Sequence, residues 1–161
     1  MVTVRRLGAD DVALARATFA MMGEVFEEPV GTLSDAYLRA LLIPPTFWAF
    51  VALEDGEPVG GVTAHTLMMT RSESREVFIY DLAVRADRQR RGIGRQLVRT
   101  LKAAAAAEGI ALSFVPADDE DTHALAFYEA LGGEAAPVTI FTFEADSVTA
   151  AGNAGRGAGH G

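Results

Sequence analysis

Gln89-Arg90-Arg91-Gly92-Ile93-Gly94 combines the residue types best suited to gripping an anion. Glycines let backbone amides approach a phosphate closely. Arginines add charge-assisted hydrogen bonds to its oxygens. The stretch falls between an apolar run and a long helical pattern. At such a junction the first helical amides and the positive end of the helix dipole bind the same oxygens. Neither the Gly-Lys-Ser/Thr of a Walker loop nor the three-glycine dinucleotide fingerprint is present, so the turn is neither of those nucleotide sites. The plainer alternative is a helix start whose arginines serve solubility, and the glycines at 92 and 94 argue against it.

The charges around this turn are segregated. The chain of 161 residues has a net charge of −8, but residues 85–102 alone carry +6 and the remainder −14. A basic stripe in an acidic protein points to two partners, an anion held locally and a cation drawn by the general field. Asp118-Asp119-Glu120-Asp121 is the densest acidic run. Helix capping accounts for one or two of these acids; the others form either a solvated loop or part of a cation site. Asp81 sits inside the apolar run Val77–Val84, where an unpaired carboxylate is costly and usually functional. The chain has no cysteine, which excludes disulfides, zinc-thiolate sites and a cysteine nucleophile. His65, His123 and His160 form no constellation with a serine and read as structural or exposed. Phe47 and Trp48 read as core.

The elements that must position these groups follow from periodicity and turn chemistry. Half of the residues are hydrophobic and 22% are charged, a composition that builds one packed domain, here 1–146. Val2–Leu7 is a strand. Asp10 and Asp11 open a helix running to about Phe26. Ser34 caps a second helix, Asp35–Leu42, which Pro44-Pro45 stops. Phe47–Glu54 and about Pro58–Met69 are strands joined at the hairpin signal Asp55-Gly56. Glu76–Val84 is a third long strand, followed by a helix from about Arg91 to Glu108. A strand at Ala111–Val115, a helix at about Thr122–Leu131 and a last strand at Val138–Glu144 complete the order. The crossover from 76–84 through the helix to 111–115 makes those two strands parallel. The fold class is therefore α/β, a mixed sheet with helices on both faces. Residues 147–161 are Gly/Ala-rich and read as a disordered tail. No apolar run is long enough to span a membrane. The N-terminus lacks the apolar core of a signal sequence, so a cytoplasmic protein is expected.

Val84 followed by Gln89-x-x-Gly92-x-Gly94 resembles the acyl-CoA-binding signature of the GNAT superfamily of N-acetyltransferases. Ala126-Phe127-Tyr128-Glu129-Ala130-Leu131-Gly132 is similar to that family's second hallmark, and the element order matches over about residues 2–145. Within the superfamily the sequence looks closest to the type I aminoglycoside 3-N-acetyltransferases. The residues that carry this are Ile79-Tyr80-Asp81-Leu82-Ala83-Val84, Arg90-Arg91-Gly92-Ile93, and Ala117-Asp118 leading to Ala126-Phe127-Tyr128.

The resemblance implies acetyl-CoA as co-substrate and no metal. The strand before the phosphate turn is expected to bulge and splay from its neighbour. The backbone of Leu82, Ala83 and Val84 then holds pantetheine, while Gln89, Arg90, Arg91, Gly92, Ile93 and Gly94 hold the pyrophosphate. Tyr128 matches the tyrosine that protonates the departing thiolate, and its spacing with Leu125 and Leu131 suits a core residue as well. Asp81 or Asp118 takes the proton of the amine or holds the amine in place. Asp119, Glu120 and Asp121, with Glu24, Glu27 and Glu28 at the end of the first helix, frame an acidic acceptor cleft. That cleft suits a compact cationic amine, with an aminoglycoside the leading choice and resistance by direct transfer the function. Another amine is the first alternative, and a non-catalytic acyl-CoA sensor the second. With the basic stripe explained by CoA, neither nucleic acid nor membrane is an expected partner. A homodimer is expected from relatives.

Overall fold

The strand Phe47–Glu54 is apolar on both faces, and each face meets its own helices. Trp48, Phe50 and Ala52 pack with Ile93, Leu97 and Leu101. Their neighbours Phe47, Ala49 and Val51 pack with Ala15, Leu38 and Leu42. A strand buried on both sides reads as a continuous apolar run, as this one does.

The computed structural model describes residues 1–28 and 31–146. Its elements are β1 (Val2–Arg6), α1 (Val12–Val25), α2 (Asp35–Leu42), β2 (Phe47–Glu54), β3 (Glu57–Met68), β4 (Arg75–Val84), α3 (Ile93–Ala107), β5 (Leu112–Phe114) and α4 (Thr122–Ala130), with a 3-10 turn at Ala86–Arg88. The chain divides into two compact units, Met1–Pro116 and Ala117–Gly161. The Gly/Ala-rich tail from 147 lies outside the described residues.

In the first unit the sheet order is β1-β2-β3-β4-β5. The first three pairings are antiparallel and β4–β5 is parallel, as the crossover through α3 requires. On α3, Ile93, Leu97 and Leu101 recur every four residues and are at most 3% exposed. Burying each of these stabilises by about 1.5–3 kcal/mol, so this stripe fixes the helix to the sheet. Asp55 and Gly56 both have left-handed φ, 53° and 81°, the two-residue turn whose twist suits a hairpin. Ser34 caps α2 by accepting from Tyr37 N–H at 3.1 Å. Asp11 is the N-cap of α1 but makes no cap bond. Its carboxylate instead accepts from Gly8 N–H and pairs with Arg5. α3 starts at Ile93 rather than Arg91 because Gly92 is left-handed, with φ of 80°.

The second unit contains α4. Asp121 Oδ1 accepts from Ala124 N–H at 3.0 Å and caps it. Val138–Glu144 is not a strand, contrary to expectation. Its apolar, β-branched pattern supplies preference only, whereas a strand is made by a partner's N–H and C=O groups. Among the described residues the segment joins no ladder, and Val138, Ile140, Phe141 and Phe143 are 59–85% exposed.

Among the described residues no helix is long and apolar enough to cross a membrane.

Candidate functional site

The ladder between β3 and β4 slips by one residue. Ala64 pairs with Ile79 but Thr63 pairs with Asp81, so Tyr80 is extra and β4 bulges there. Before the bulge, Val77 and Ile79 face the α3 core. Unbroken alternation would aim Asp81 and Ala83 the same way. The bulge reverses the parity. Leu82 and Val84 now pack toward α3, and Ala83 packs with Met21 and Met22 of α1. Asp81 lies on the α1 side with Ala83. Burial raises its pKa above the ordinary carboxylate value, and the negative charge of Glu28 raises it further.

Glu28 reaches this neighbourhood through the way α1 ends. Glu28 N–H bonds to Gly23 O at 2.9 Å and Glu27 N–H to Glu24 O at 3.1 Å, which is a Schellman closure. Its left-handed residue is Glu27, φ 56°, where glycine is usual. Glu24, Glu27 and Glu28 are all exposed.

On its other side β4 pairs with β5 only through Glu76, Val77 and Phe78. Residues 79–84 run on without a β5 partner, which leaves that edge of Leu82, Ala83 and Val84 outside the β4–β5 ladder. At its end, Gln89 Nε2 donates to Val84 O at 3.0 Å and ties the following turn back to the strand.

That turn alternates two left-handed residues, Arg90 at φ 63° and Gly92 at φ 80°. The first helical closure is Gln96 N–H to Gly92 O, so the amides of Ile93, Gly94 and Arg95 precede it. The helix start has no side-chain cap and no acid in its first turn. Nothing lies within 4 Å of where a Gly92 side chain would begin. Open amides, an uncapped positive helix end and exposed Arg90 and Arg91 fit a phosphate group.

The basic stripe is partly neutralised. Arg88 and Arg91 both pair with Glu54 at the end of β2, and Asp87 pairs with Arg85 and Arg88. The Arg85 hydrogen bond, more than any other contact, holds Asp87 down to a pKa of about 2. Arg88 likewise lowers Glu54. Among the described residues Arg90, Arg95, Arg99 and Lys102 have no such carboxylate partner.

The acetyltransferase family model named GNAT matches residues 15–133, about three quarters of the chain. The chain belongs to the GNAT acetyltransferase family. An aminoglycoside acetyltransferase from an uncultured soil metagenomic sample is 38% identical to this GNAT protein, covering 91% of this chain and 99% of that one with a TM-score of 0.86. A second such enzyme from a soil metagenomic sample, in complex with sisomicin, is 30% identical over 89% and 95% of the two chains, TM-score 0.83. A ribosomal-protein-alanine N-acetyltransferase from Brucella melitensis biovar Abortus 2308, 20% identical with a TM-score of 0.69 over 89% and 99%, shares the fold. No curated protein matches the sequence. The protein is thus an acetyl-CoA-dependent N-acetyltransferase of the GNAT fold, akin to aminoglycoside acetyltransferases.

The remaining candidate residues of this acetyltransferase lie in its second unit. Tyr128 is half-buried on α4, its ring edge-on to Phe127 at 5.1 Å. Asp118 Oδ1 accepts from Glu120 N–H at 3.1 Å. With Asp121 capping α4, two of the four acids serve the local backbone, while Asp119 and Glu120 are exposed. Trp48 and Phe47 are buried, and Trp48 carries Arg6 over its ring at 3.9 Å.

The sequence reading missed Glu54, which grips the phosphate turn from 34 residues away, and also Gly60-Gly61. A side chain at Gly60 would meet Ile93 and Leu97 at 3.1 Å, and one at Gly61 would meet Met22 at 2.7 Å. These glycines bring α3 and α1 close to opposite faces of β3. Paired glycines inside a strand are the signal that could have found them.

Proposed function

We propose that this acetyltransferase acts on aminoglycosides at the 3-amino group, by direct transfer in a ternary complex, and so confers resistance. The observation that carries the acceptor class is the 38% identity, over 91% of this chain, to a soil aminoglycoside acetyltransferase.

The geometry supports the donor half. Acetyl-CoA, when bound, supplies an acyl group activated as a thioester. The unpaired side of β4 offers the backbone of Leu82, Ala83 and Val84 to its amide-bearing arm, and an amide there polarises the thioester carbonyl. The amides from Arg90 to Gly94, with the Arg90 and Arg91 side chains, take the pyrophosphate.

In the transfer a C–N bond forms and the C–S bond breaks. Asp81, made more basic than an ordinary carboxylate, accepts the amine proton. Asp118 shares that work or holds the amine. Tyr128 gives its phenol proton to the departing thiolate, a group of similar basicity. Glu24, Glu27, Glu28, Asp119, Glu120 and Asp121 pair with the acceptor's ammonium groups. The proposal extends to a cytoplasmic homodimer, whose pairing light scattering would measure.

Expression in a susceptible bacterium tests the reading. The inhibitory concentration of gentamicin should rise, and NMR should show the product acetylated at the 3-amino nitrogen. An unchanged inhibitory concentration with soluble, folded protein would set the aminoglycoside reading aside. Acetylation at another nitrogen would overturn the regiochemistry alone.

A further inference from the structure

Four strands of the first unit contribute aromatic rings to one row. Phe47 of β2 tilts against His65 of β3 with ring centroids 5.2 Å apart. His65 meets Tyr80 of β4 edge-on at 5.9 Å, and Tyr80 meets Phe78 edge-on at 5.8 Å. Phe78 then lies 5.1 Å from Phe114 of β5. The ladders place His65 opposite both Phe47 and Phe78, so the row shares the α1/α2 face of the sheet.

The row runs from core to solvent. Phe47 is buried, but Tyr80 is 61% exposed and Phe114 is 41% exposed. Burial does not account for rings that face water. Tyr80 is also the extra residue of the bulge, and the next residue is Asp81 on the same face. There the apolar strip gives way to negative charge, since Glu28 acts on Asp81 electrostatically. Glu28 is held there by a closure that forces Glu27 into a left-handed conformation, a strain that persists only when the surroundings over-determine it.

We propose that the exposed ring of Tyr80, braced edge-on by His65 and Phe78, is the contact surface of an acceptor subsite that takes the face of an amino-sugar or aminocyclitol ring, while Asp81 and Glu28 take its ammonium groups. The inference rests on the amine-acceptor reading above and adds where the ring lies. A polyaminated ring presents C–H faces made electropositive by neighbouring ammonium groups, and such faces are drawn to the negative faces of aromatic rings. Carboxylates at one end of the strip fix which edge of the ring bears the reacting amine. Burial lowers the pKa of His65 and so favours its neutral form, which does not repel the cation.

Calorimetry with gentamicin on the full chain in the presence of CoA, beside steady-state kinetics, tests this. Tyr80→Ala should raise the gentamicin Kd by about tenfold, whereas Tyr80→Phe keeps the ring and should stay near wild type. The KM for acetyl-CoA and the melting temperature should hold in both. Acceptor ring protons should shift upfield on binding to wild type and Tyr80→Phe, and lose that shift with Tyr80→Ala. Wild-type affinity and an unaltered upfield shift in Tyr80→Ala would overturn the subsite and leave the acetyltransferase reading standing. A wild-type protein that neither binds nor acetylates gentamicin would overturn the amine reading and the subsite together.

Discussion

Asp81 stands directly opposite Thr63 in the β3–β4 ladder, one residue beyond the extra residue Tyr80. That offset moves a carboxylate from the α3 core, where it would be buried among aliphatic side chains, to the α1 side near Glu28. A raised pKa means the fold disfavours the charged form. Relative to the unfolded chain, stability tied to Asp81 is fully present at low pH and lost as pH rises through its folded pKa. Asp81→Asn should therefore melt higher at neutral pH, by about 2–4 °C for each kcal/mol relieved, while losing about 10²–10⁴-fold in kcat. Thermal melts and thiol release read both. Full turnover in the variant would remove the base role.

Glu28→Gln removes the second cause of that raised pKa. The acid limb of the kcat/KM profile should move to lower pH, because Asp81 then stays ionised further down. A limb that does not move would show that the limb belongs to another group.

Tyr128→Phe tests the second unit. It deletes the phenol and keeps the ring beside Phe127. Turnover at neutral pH should fall by about 10²-fold or more, with acetyl-CoA binding retained by calorimetry. Unchanged turnover would show that the thiolate leaves without this acid.

Glu54 is the anchor of the phosphate turn, gripping Arg88 and Arg91 together. Glu54→Gln should loosen the turn and raise the KM for acetyl-CoA several-fold, with the acceptor KM little changed. Gly92→Ala forces a side chain into a left-handed position and should do the same more strongly. Equal losses for donor and acceptor in both variants would indicate general unfolding instead.

Gly60→Ala puts a methyl group 3.1 Å from both Ile93 and Leu97 and 3.3 Å from Ala83 O. Overpacking of this kind costs about 1–3 kcal/mol and should appear in urea unfolding as a lower midpoint. An unchanged midpoint would mean that α3 can lift off β3 freely.

Local chemistry made much of this structure legible. The Asp55-Gly56 turn, the Ser34 cap, the doubly apolar Phe47–Glu54 and the basic Gly-x-Gly before a helix each contain their own cause within a few residues. What escaped depends on residues far apart. Nothing in Ile79-Tyr80-Asp81 itself says which residue the opposing strand will skip, so the face taken by Asp81 and the aromatic row around Tyr80 could not be placed by alternation. The family likeness supplied the bulge without its position. The ion pairs of Glu54 join the end of one strand to a turn two strands later. Val138–Glu144 misled in the other direction, since its β-branched and aromatic residues favour a strand but among the described residues no ladder partner receives it.

Release of free thiol from acetyl-CoA, followed with and without micromolar gentamicin, decides whether this protein is an aminoglycoside acetyltransferase. Turnover should depend on gentamicin and saturate with it. Thiol release that is absent with gentamicin, yet present with spermidine or a basic peptide, would contradict it.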